Sequence, residues 1–403
     1  MPRLLQINTT QGRGSTGKIA EKIASLAIAG GWDCYLAHGP RFVGDTCMES
    51  IQVSSAIDEK VHFAASRLFD MHGLGSCAST SKLIDCIDEI KPDIVHLHNL
   101  HGYYLNYRLL LEHLSGKGYP TVVTMHDFWL MTGHCAYINK SCGKWENGCG
   151  NCPRLGEYPA AILDRSRKNW ELKNKLFSSF SSDKLVLVPV SDWLASYVRR
   201  SLLGSRDIFT IANGVDTGLF RPYEGQHSDL YKSIDWNRYT VLAVADRWTE
   251  ANGFYTITEW AGNLPSDMQL ILVGLNQKQM QGLPERVIGI GHIGSVNELV
   301  ELYSAADALL NVSTEVTFGL VTAEAMACGT PAIVFKNTAG EDIIDDNTGF
   351  SVDSLDQVPE LVYKCRKEAA HYSGSCRCRI MDQFEANHQY SKYLALYSSL
   401  LNM

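Results

Sequence analysis

The sequence predicts an α/β protein made of two doubly wound parallel sheets. Three observations predict it. Short apolar runs without polar alternation recur along the chain, which is the pattern of strands buried on both faces. Amphipathic helical patterns sit between most of them, as crossovers between parallel strands require. The chain has 403 residues and 44.8 kDa, enough for two such domains and their cores.

The strand candidates in order are Leu4–Ile7, Cys34–Ala37, Ile94–Leu97, Thr121–Met125, Leu185–Val190, Tyr239–Ala245, Met268–Val273, Ala308–Asn311 and Pro331–Phe335. Helical patterns cover Gly17–Ile28, Lys82–Ile90, Glu298–Ala306 and Gly319–Cys328. The segment Asn213-Gly214-Val215-Asp216 through Phe220-Arg221-Pro222 and on to residue 238 is polar and punctuated by turn residues, so 212–238 reads as a linker. The expected domains are therefore 1–211, with a cysteine-rich insert at 131–159, and 239–385, with a last helix in 386–403.

Composition excludes several classes. A net charge of −8 argues against nucleic acid as a partner. The charge is uneven: residues 1–210 hold 23 Lys and Arg against 20 Asp and Glu, and residues 211–403 hold 13 against 24. Such a split suggests two domains facing different partners. No apolar run approaches bilayer-spanning length, and the first residues are too short and polar for a signal-peptide core, so a soluble cytoplasmic protein is expected.

After the first strand comes Gly12-Arg13-Gly14-Ser15-Thr16-Gly17-Lys18-Ile19. Read as a dinucleotide loop, it lacks the acidic residue expected after the second strand, which ends Leu36-Ala37-His38-Gly39-Pro40. Read as a phosphate loop, it has Ile19 where the magnesium-binding Ser or Thr belongs. What survives is a glycine loop at a helix N-terminus, which favours an anion; a plain tight turn is the alternative. His96 and His98 end one apolar strand, and His126 and Asp127 end the next. Ligands of open parallel sheets gather beyond the carboxyl ends of strands. His126, followed by Asp127 and the aromatic Phe128-Trp129, suits a sugar-like ligand; His96 reads as structural.

In the second half, Phe318-Gly319 precedes a short helical pattern that holds Glu324 and ends in Cys328-Gly329-Thr330-Pro331. The helix N-terminus at Gly319, Leu320 and Val321 offers amides to an anion. Glu324, about a turn and a half in, can accept bonds from a ribose diol or sugar hydroxyls.

Taken together these segments resemble the family-4 retaining glycosyltransferases of the GT-B fold. The glycine loop, Asp93–His98, His126-Asp127, Asn213–Asp216, Val244–Arg247, Leu270–Gly274, Phe318–Pro331 and Gly349-Phe350 follow in the family's order. The region from His126 to Pro159 further resembles bacterial exopolysaccharide and colanic-acid-type members. The resemblance implies two Rossmann-like domains facing a cleft, a nucleoside-diphosphate sugar donor held mainly by the second, and a C-terminal helix, within Tyr390–Leu401, returning to the first. It implies a glycan or lipid-linked glycan acceptor, on the side of His98 and Asp127, and catalysis without a metal. By position, Arg247 would hold the diphosphate and Glu324 the ribose. His126 would contact the transferred sugar, and Gly12, Gly14 and Gly17 would line the donor–acceptor junction. Two positions depart from the pattern. Asn252 stands where the family usually has Lys. Val316 stands where it has Glu, with Glu315 one residue earlier as the substitute. These departures motivate the alternative of a catalytically weakened sugar-nucleotide-binding protein.

Four of the twelve cysteines, Cys135, Cys142, Cys149 and Cys152, fall within 18 residues. In a reducing compartment such a cluster suggests a structural zinc site, with disulfides or free thiols as alternatives. The basic stretch Asp164–Phe177, with Trp170 and Phe177 at helical spacing, suggests contact with an anionic membrane surface, or else an amphipathic helix whose aromatics face the core.

Overall fold

The computed structural model describes all residues except 139–141, 226–230, 232–233, 251 and 403. The chain divides into two compact units, Met1–Ala212 with Gln389–Met403, and Asn213–His388. The second unit thus begins within the segment read as a linker, part of which lies outside the described residues.

The first unit holds a seven-stranded, wholly parallel sheet in the order β3-β2-β1-β4-β5-β6-β7. Its strands are β1 (Arg3–Asn8), β2 (Asp33–His38), β3 (Glu49–Gln52), β4 (Ile94–Leu97), β5 (Thr121–Met125), β6 (Leu185–Pro189) and β7 (Asp207–Ile208). Its helices are α1 (Gly14–Ala29), α2 (Ala56–Phe69), α3 (Cys77–Ile90), α4 (Tyr107–Lys117), α5 (Lys144–Asn147), α6 (Ser166–Ser178) and α7 (Asp192–Arg200). Strands β4, β5 and β6 are buried along their whole length, as their unbroken apolar sequences demand.

The second unit repeats the architecture with six parallel strands in the order β10-β9-β8-β11-β12-β13. These are β8 (Tyr239–Val244), β9 (Met268–Val273), β10 (Val287–Ile290), β11 (Ala308–Asn311), β12 (Ala332–Phe335) and β13 (Gly349–Val352). Around them lie α8 (Phe254–Ala261), α9 (Val296–Ala305), α10 (Leu320–Ala327), α11 (Val358–Lys367) and α12 (Ala369–Gln383). The fold class read from the sequence is therefore correct. The core of this unit joins Val241, Leu270, Leu272, Leu310 and Ile333 of the sheet to Ile257 of α8 and Val358 and Val362 of α11.

The last helix, α13 (Ala386–Leu401), packs from Gln389 onward with the first unit. Two of its tyrosines fasten it. Tyr393 shares a 2.8 Å hydrogen bond with the Thr124 hydroxyl, and the Tyr397 hydroxyl lies 2.6 Å from His96 Nδ1. His96 is fully buried between this contact and Thr124 Oγ1 at 2.7 Å, so its role is structural.

Two helices bear on which surface could meet a membrane. In α6, Leu176 and Phe177 are buried, and half-buried Trp170 donates its indole N–H to the Trp145 carbonyl at 3.0 Å. The aromatics of the basic stretch therefore pack inward and are not offered to a membrane. In α2 the inward residues are polar: Glu59, His62 and Ser66 are buried, whereas Ile57, Val61, Ala64 and Leu68 are exposed.

Candidate functional site

The strand order of the first sheet reverses between β1 and β4, and such a switch point opens a crevice at the strands' carboxyl ends. Three of the predicted segments issue there side by side: the glycine loop from β1, His98 from β4 and His126-Asp127 from β5. The loop depends on its glycines. Gly12 has φ +61°, and a Cβ there would lie 2.1 Å from the Asp45 carbonyl oxygen. A Cβ on Gly17 would lie 2.9 Å from Thr10 Oγ1. Gly14, with φ +67°, opens α1, whose N-terminal turn has neither a side-chain cap nor an acidic residue. Its first amides are thus uncapped by side chains and suited to an anion.

Beside the loop, the histidines form a contiguous polar array. His98 is buried, with Nε2 2.9 Å from Gln6 Oε1 and Nδ1 3.1 Å from His126 Nε2. The His98 and His126 rings stack at 5.4 Å. Burial holds both imidazoles neutral, pushing His126 down to about 4 and His98 well below the ordinary histidine range. Asp127 is engaged otherwise: Oδ2 takes His101 Nε2 at 2.6 Å and Oδ1 accepts the Trp129 amide at 2.8 Å. Burial raises its pKa, but the His101 charge and these bonds more than offset that and hold it down. His101 in turn lies 3.2 Å from the Tyr158 hydroxyl. Gln6, His101 and Tyr158 were not singled out in the sequence. Gln6 alone carried a signal, as the lone polar residue inside an apolar strand.

The second sheet switches between β8 and β11. The loop after β8 carries Arg247 and Asn252, and the loop after β11 carries Glu315 and Phe318 before entering α10. The two loops touch: a Cβ on Gly253 (φ +82°) would lie 2.7 Å from Val312 Cγ2. Arg247 is exposed. Asn252 turns inward to its own loop, its Nδ2 donating to the Arg247 carbonyl and its amide to Thr249 Oγ1 at 3.2 Å. Gly319, at φ +97°, opens α10 without a side-chain cap or an acid in the first turn. Leu320, Val321 and Glu324 are half-buried on that helix, and Glu324 Oε2 accepts the hydroxyl of buried Tyr303 at 3.1 Å. Glu315 is half-buried. Phe318 is buried against Phe384, so it anchors the loop and is not itself open to a ligand.

None of the twelve cysteines is in a disulfide. Cys135, Cys142, Cys149 and Cys152 all line one cavity of about 20 Å³. The Cys135 thiol hydrogen-bonds to Cys152, which lowers the pKa of Cys152 and raises that of Cys135. Cys149 Sγ accepts the Gly133 amide at 3.2 Å. Four thiols are a zinc donor set in kind, yet among the described residues no three His, Cys, Asp or Glu side chains stand together as a metal-holding group. The start of the insert is tied to Lys173 of α6. Its buried ammonium donates to the Trp129 and Thr132 carbonyls at 2.5 and 2.9 Å and sits 3.6 Å from the Trp129 ring centroid.

Comparison with known proteins agrees with this arrangement. The family model for glycosyl transferases group 1 matches residues 239–368, and that for glycosyltransferase family 4 matches residues 52–219. A protein of Escherichia coli K12 named as a colanic acid biosynthesis glycosyl transferase, WcaC, is 24% identical over 381 residues, 91% of each chain. Among solved structures, sucrose-phosphate synthase from Thermosynechococcus elongatus superposes with a TM-score of 0.69 at 17% identity over 100% of both chains. Anabaena HepE in complex with UDP gives 0.66 at 15% identity, covering 99% of this chain and 100% of its own. With one family model in each unit and a relative aligned along nine-tenths of its length, the chain belongs to the family-4 and group 1 glycosyltransferases, enzymes of the GT-B fold.

Proposed function

We propose that this glycosyltransferase retains anomeric configuration and moves a sugar from a nucleoside diphosphate to a glycan or lipid-linked glycan of a bacterial surface polysaccharide. The observation that carries the donor assignment is the uncapped, glycine-opened N-terminus of α10 with Glu324 one and a half turns in, at the switch point of the second sheet. The amides of Gly319, Leu320 and Val321 take the diphosphate together with Arg247, and Glu324 takes the ribose hydroxyls. His126 contacts the transferred sugar. Glu315 stands in for the acid missing at Val316, and the acceptor meets the first unit near His98 and Asp127. The acceptor oxygen bonds to the anomeric carbon on the face from which the diphosphate departs. The acceptor's proton passes to a diphosphate oxygen, so no protein base and no metal is required. Arg247 and the helix N-terminus stabilise the charge that develops on the leaving group. WcaC's name supports the polysaccharide assignment, and the UDP complex of HepE supports a nucleotide donor.

The test is a thermal-shift screen against UDP, GDP, ADP, CMP and dTDP with and without magnesium. A selective shift of a few degrees that does not need magnesium is expected. No shift with any of the five would overturn the nucleotide-donor reading.

The membrane contact we place on α2. Ile57, Val61, Ala64 and Leu68 form one outward stripe about 16 Å long, with Ile57 76% and Val61 64% exposed. Exposed Ile162 and Leu163 extend it, their amides bonding to the Arg67 and Leu68 carbonyls. Phe69 and Leu163 also wall a groove of about 680 Å³ that holds Lys144, Arg165, Arg167 and Lys168 against Asp164 alone. An apolar stripe beside clustered cations matches an anionic bilayer surface, where a lipid-linked acceptor resides. Among the described residues no helix is long and apolar enough to cross a membrane. Wild-type protein should co-sediment with phosphatidylglycerol vesicles and not with phosphatidylcholine alone. Ile57→Asp with Val61→Asp should weaken that binding at least tenfold, each residue forfeiting about 1.5–3 kcal/mol of burial. Equal binding by the double variant would remove α2 from the contact.

A further inference from the structure

We propose that the cationic groove at the start of α6 binds the diphosphate headgroup of a polyprenyl-linked acceptor, whose hydrocarbon chain leaves along the apolar stripe of α2. The groove, about 680 Å³, sets Lys144, Arg165, Arg167 and Lys168 against Asp164. Its cations are not equivalent. Lys144 Nζ donates to the Gly150 and Asn151 carbonyls at 3.0 and 2.8 Å, folding that turn along the groove. Arg167 Nε reaches Glu171 Oε1 at 3.0 Å. Arg165 uses only Nε, 3.2 Å from Asn169 Oδ1, and among the described residues its two terminal nitrogens make no bond. Lys168 is exposed and pairs with no acid among the described residues. Asp164 is engaged elsewhere: Oδ2 accepts the Cys152 amide at 2.7 Å, and Oδ1 accepts the amide and hydroxyl of Ser166 at 2.8 and 2.6 Å. A guanidinium fork beside an uncommitted ammonium is a donor set for phosphate oxygens. A diphosphate also brings one charge more than a single phosphodiester headgroup, which suits a site with two uncommitted cations.

Groove and stripe form one continuous surface. Buried Asp70, which ends α2 at φ +52°, locks the two helices together. Its Oδ2 accepts the Arg165 amide at 3.1 Å, and its carbonyl accepts Asn169 Nδ2 at 2.9 Å. Phe69 and Leu163, both exposed, make the shared edge where the apolar stripe meets the cations. A headgroup seated on Arg165 and Lys168 therefore has apolar surface immediately beside it. A lipid phosphate uses that layout and a soluble anion does not. The same helix is fastened to the His126-Asp127 end of β5, because Lys173 donates to the Trp129 carbonyl and the Trp129 amide donates to Asp127. The inference rests on the membrane contact placed on α2 above.

The test is flotation of the full-length protein with phosphatidylcholine vesicles carrying undecaprenyl diphosphate, against vesicles of equal surface charge carrying phosphatidylglycerol. Wild type should bind the diphosphate vesicles about tenfold more tightly or better, as a bidentate guanidinium–phosphate pair allows. Each lost cation weakens attachment to any anionic membrane about fivefold, so the ratio between the two vesicles is the readout. Arg165→Gln with Lys168→Gln should abolish the preference. Lys60→Gln with Arg67→Gln, which removes two exposed cations of α2 outside the groove, should weaken both and keep the ratio. A misfolded variant would lose both vesicles alike. Equal binding of the two vesicles by wild type, or a preference unchanged in the Arg165 and Lys168 variant, overturns the headgroup site and leaves the membrane contact standing. Binding to neither vesicle overturns the membrane contact, and the headgroup site with it. Inorganic diphosphate titrated in solution should bind far more weakly than the lipid, and equal affinity would overturn the lipid as the occupant.

Discussion

Glu324→Ala should lower affinity for the nucleoside diphosphate about a hundredfold or more and leave the protein folded. The carboxylate sits on α10 beyond an N-terminus that no side chain caps, and under the proposed reading it accepts from two ribose hydroxyls. Hydrogen bonds to a charged group contribute about 1.5–3 kcal/mol each. Losing two costs about 3 kcal/mol or more, which is at least two decades of affinity. The substitution also strips Tyr303 of its 3.1 Å acceptor, so a modest drop in melting temperature accompanies it. Glu324→Gln separates the two effects, because the amide oxygen still serves Tyr303 while the charge is gone. Isothermal titration with the nucleotide selected by thermal shift checks both variants. Wild-type affinity in the alanine variant would discard the ribose assignment.

The local geometry behind that proposal was legible because it rests on residues with few other uses. A glycine followed by a short helix with one acid is written in the sequence as plainly as in the structure, and the same is true of the loop at Gly12. The strands with continuous apolar sequence were legible too, Ile94–Leu97, Thr121–Met125, Met268–Val273 and Ala308–Asn311 to the residue. The strands not foreseen, β3, β7, β10 and β13, lie at sheet edges. β3 is mostly exposed and β7 is two residues long, so neither needs an apolar run. α2 was missed for a different reason. Periodicity reports which face is apolar, and it is read as core on the assumption that apolar means inward. In α2 Glu59 faces inward to meet Arg41 at 2.7 Å, and His62 accepts the amides of Gly73 and Gly75. In the cysteine insert the spacing drew attention to the thiols, but it did not display Lys173, one more cation in a basic helix, as a buried tie to the Trp129 and Thr132 carbonyls. Polar residues satisfied by distant backbone have no periodic signature.

Those inward-facing histidines produce the second large effect, acid sensitivity of the first unit. His62 and His126 are pushed down to about 4 by burial, and His72, His96 and His98 are held well below the ordinary histidine range for the same reason. Each folded-state pKa lies below the unfolded value near 6.5, so between about 6.5 and 4 the unfolded chain binds protons that the folded chain refuses. Stability is therefore full above about pH 6.5 and falls as pH drops through that window. For His62 alone the shift corresponds to about 3 kcal/mol at 1.36 kcal/mol per unit. Two such groups rival the 5–15 kcal/mol that typically separates folded from unfolded protein. His134 works the other way: burial lowers its pKa, but the buried Asp70 at 2.6 Å more than offsets this, so its contribution persists in acid and is lost as pH rises. The urea midpoint should fall steadily from pH 7 to pH 5. Hydrogen exchange should show the loss of protection in β1, β4 and β5, the neighbouring strands whose ends carry His96, His98 and His126. His62→Gln, which keeps an acceptor for the Gly73 and Gly75 amides, should flatten the acid slope by its share. A midpoint that is constant across this range would mean that water or local opening reaches these imidazoles.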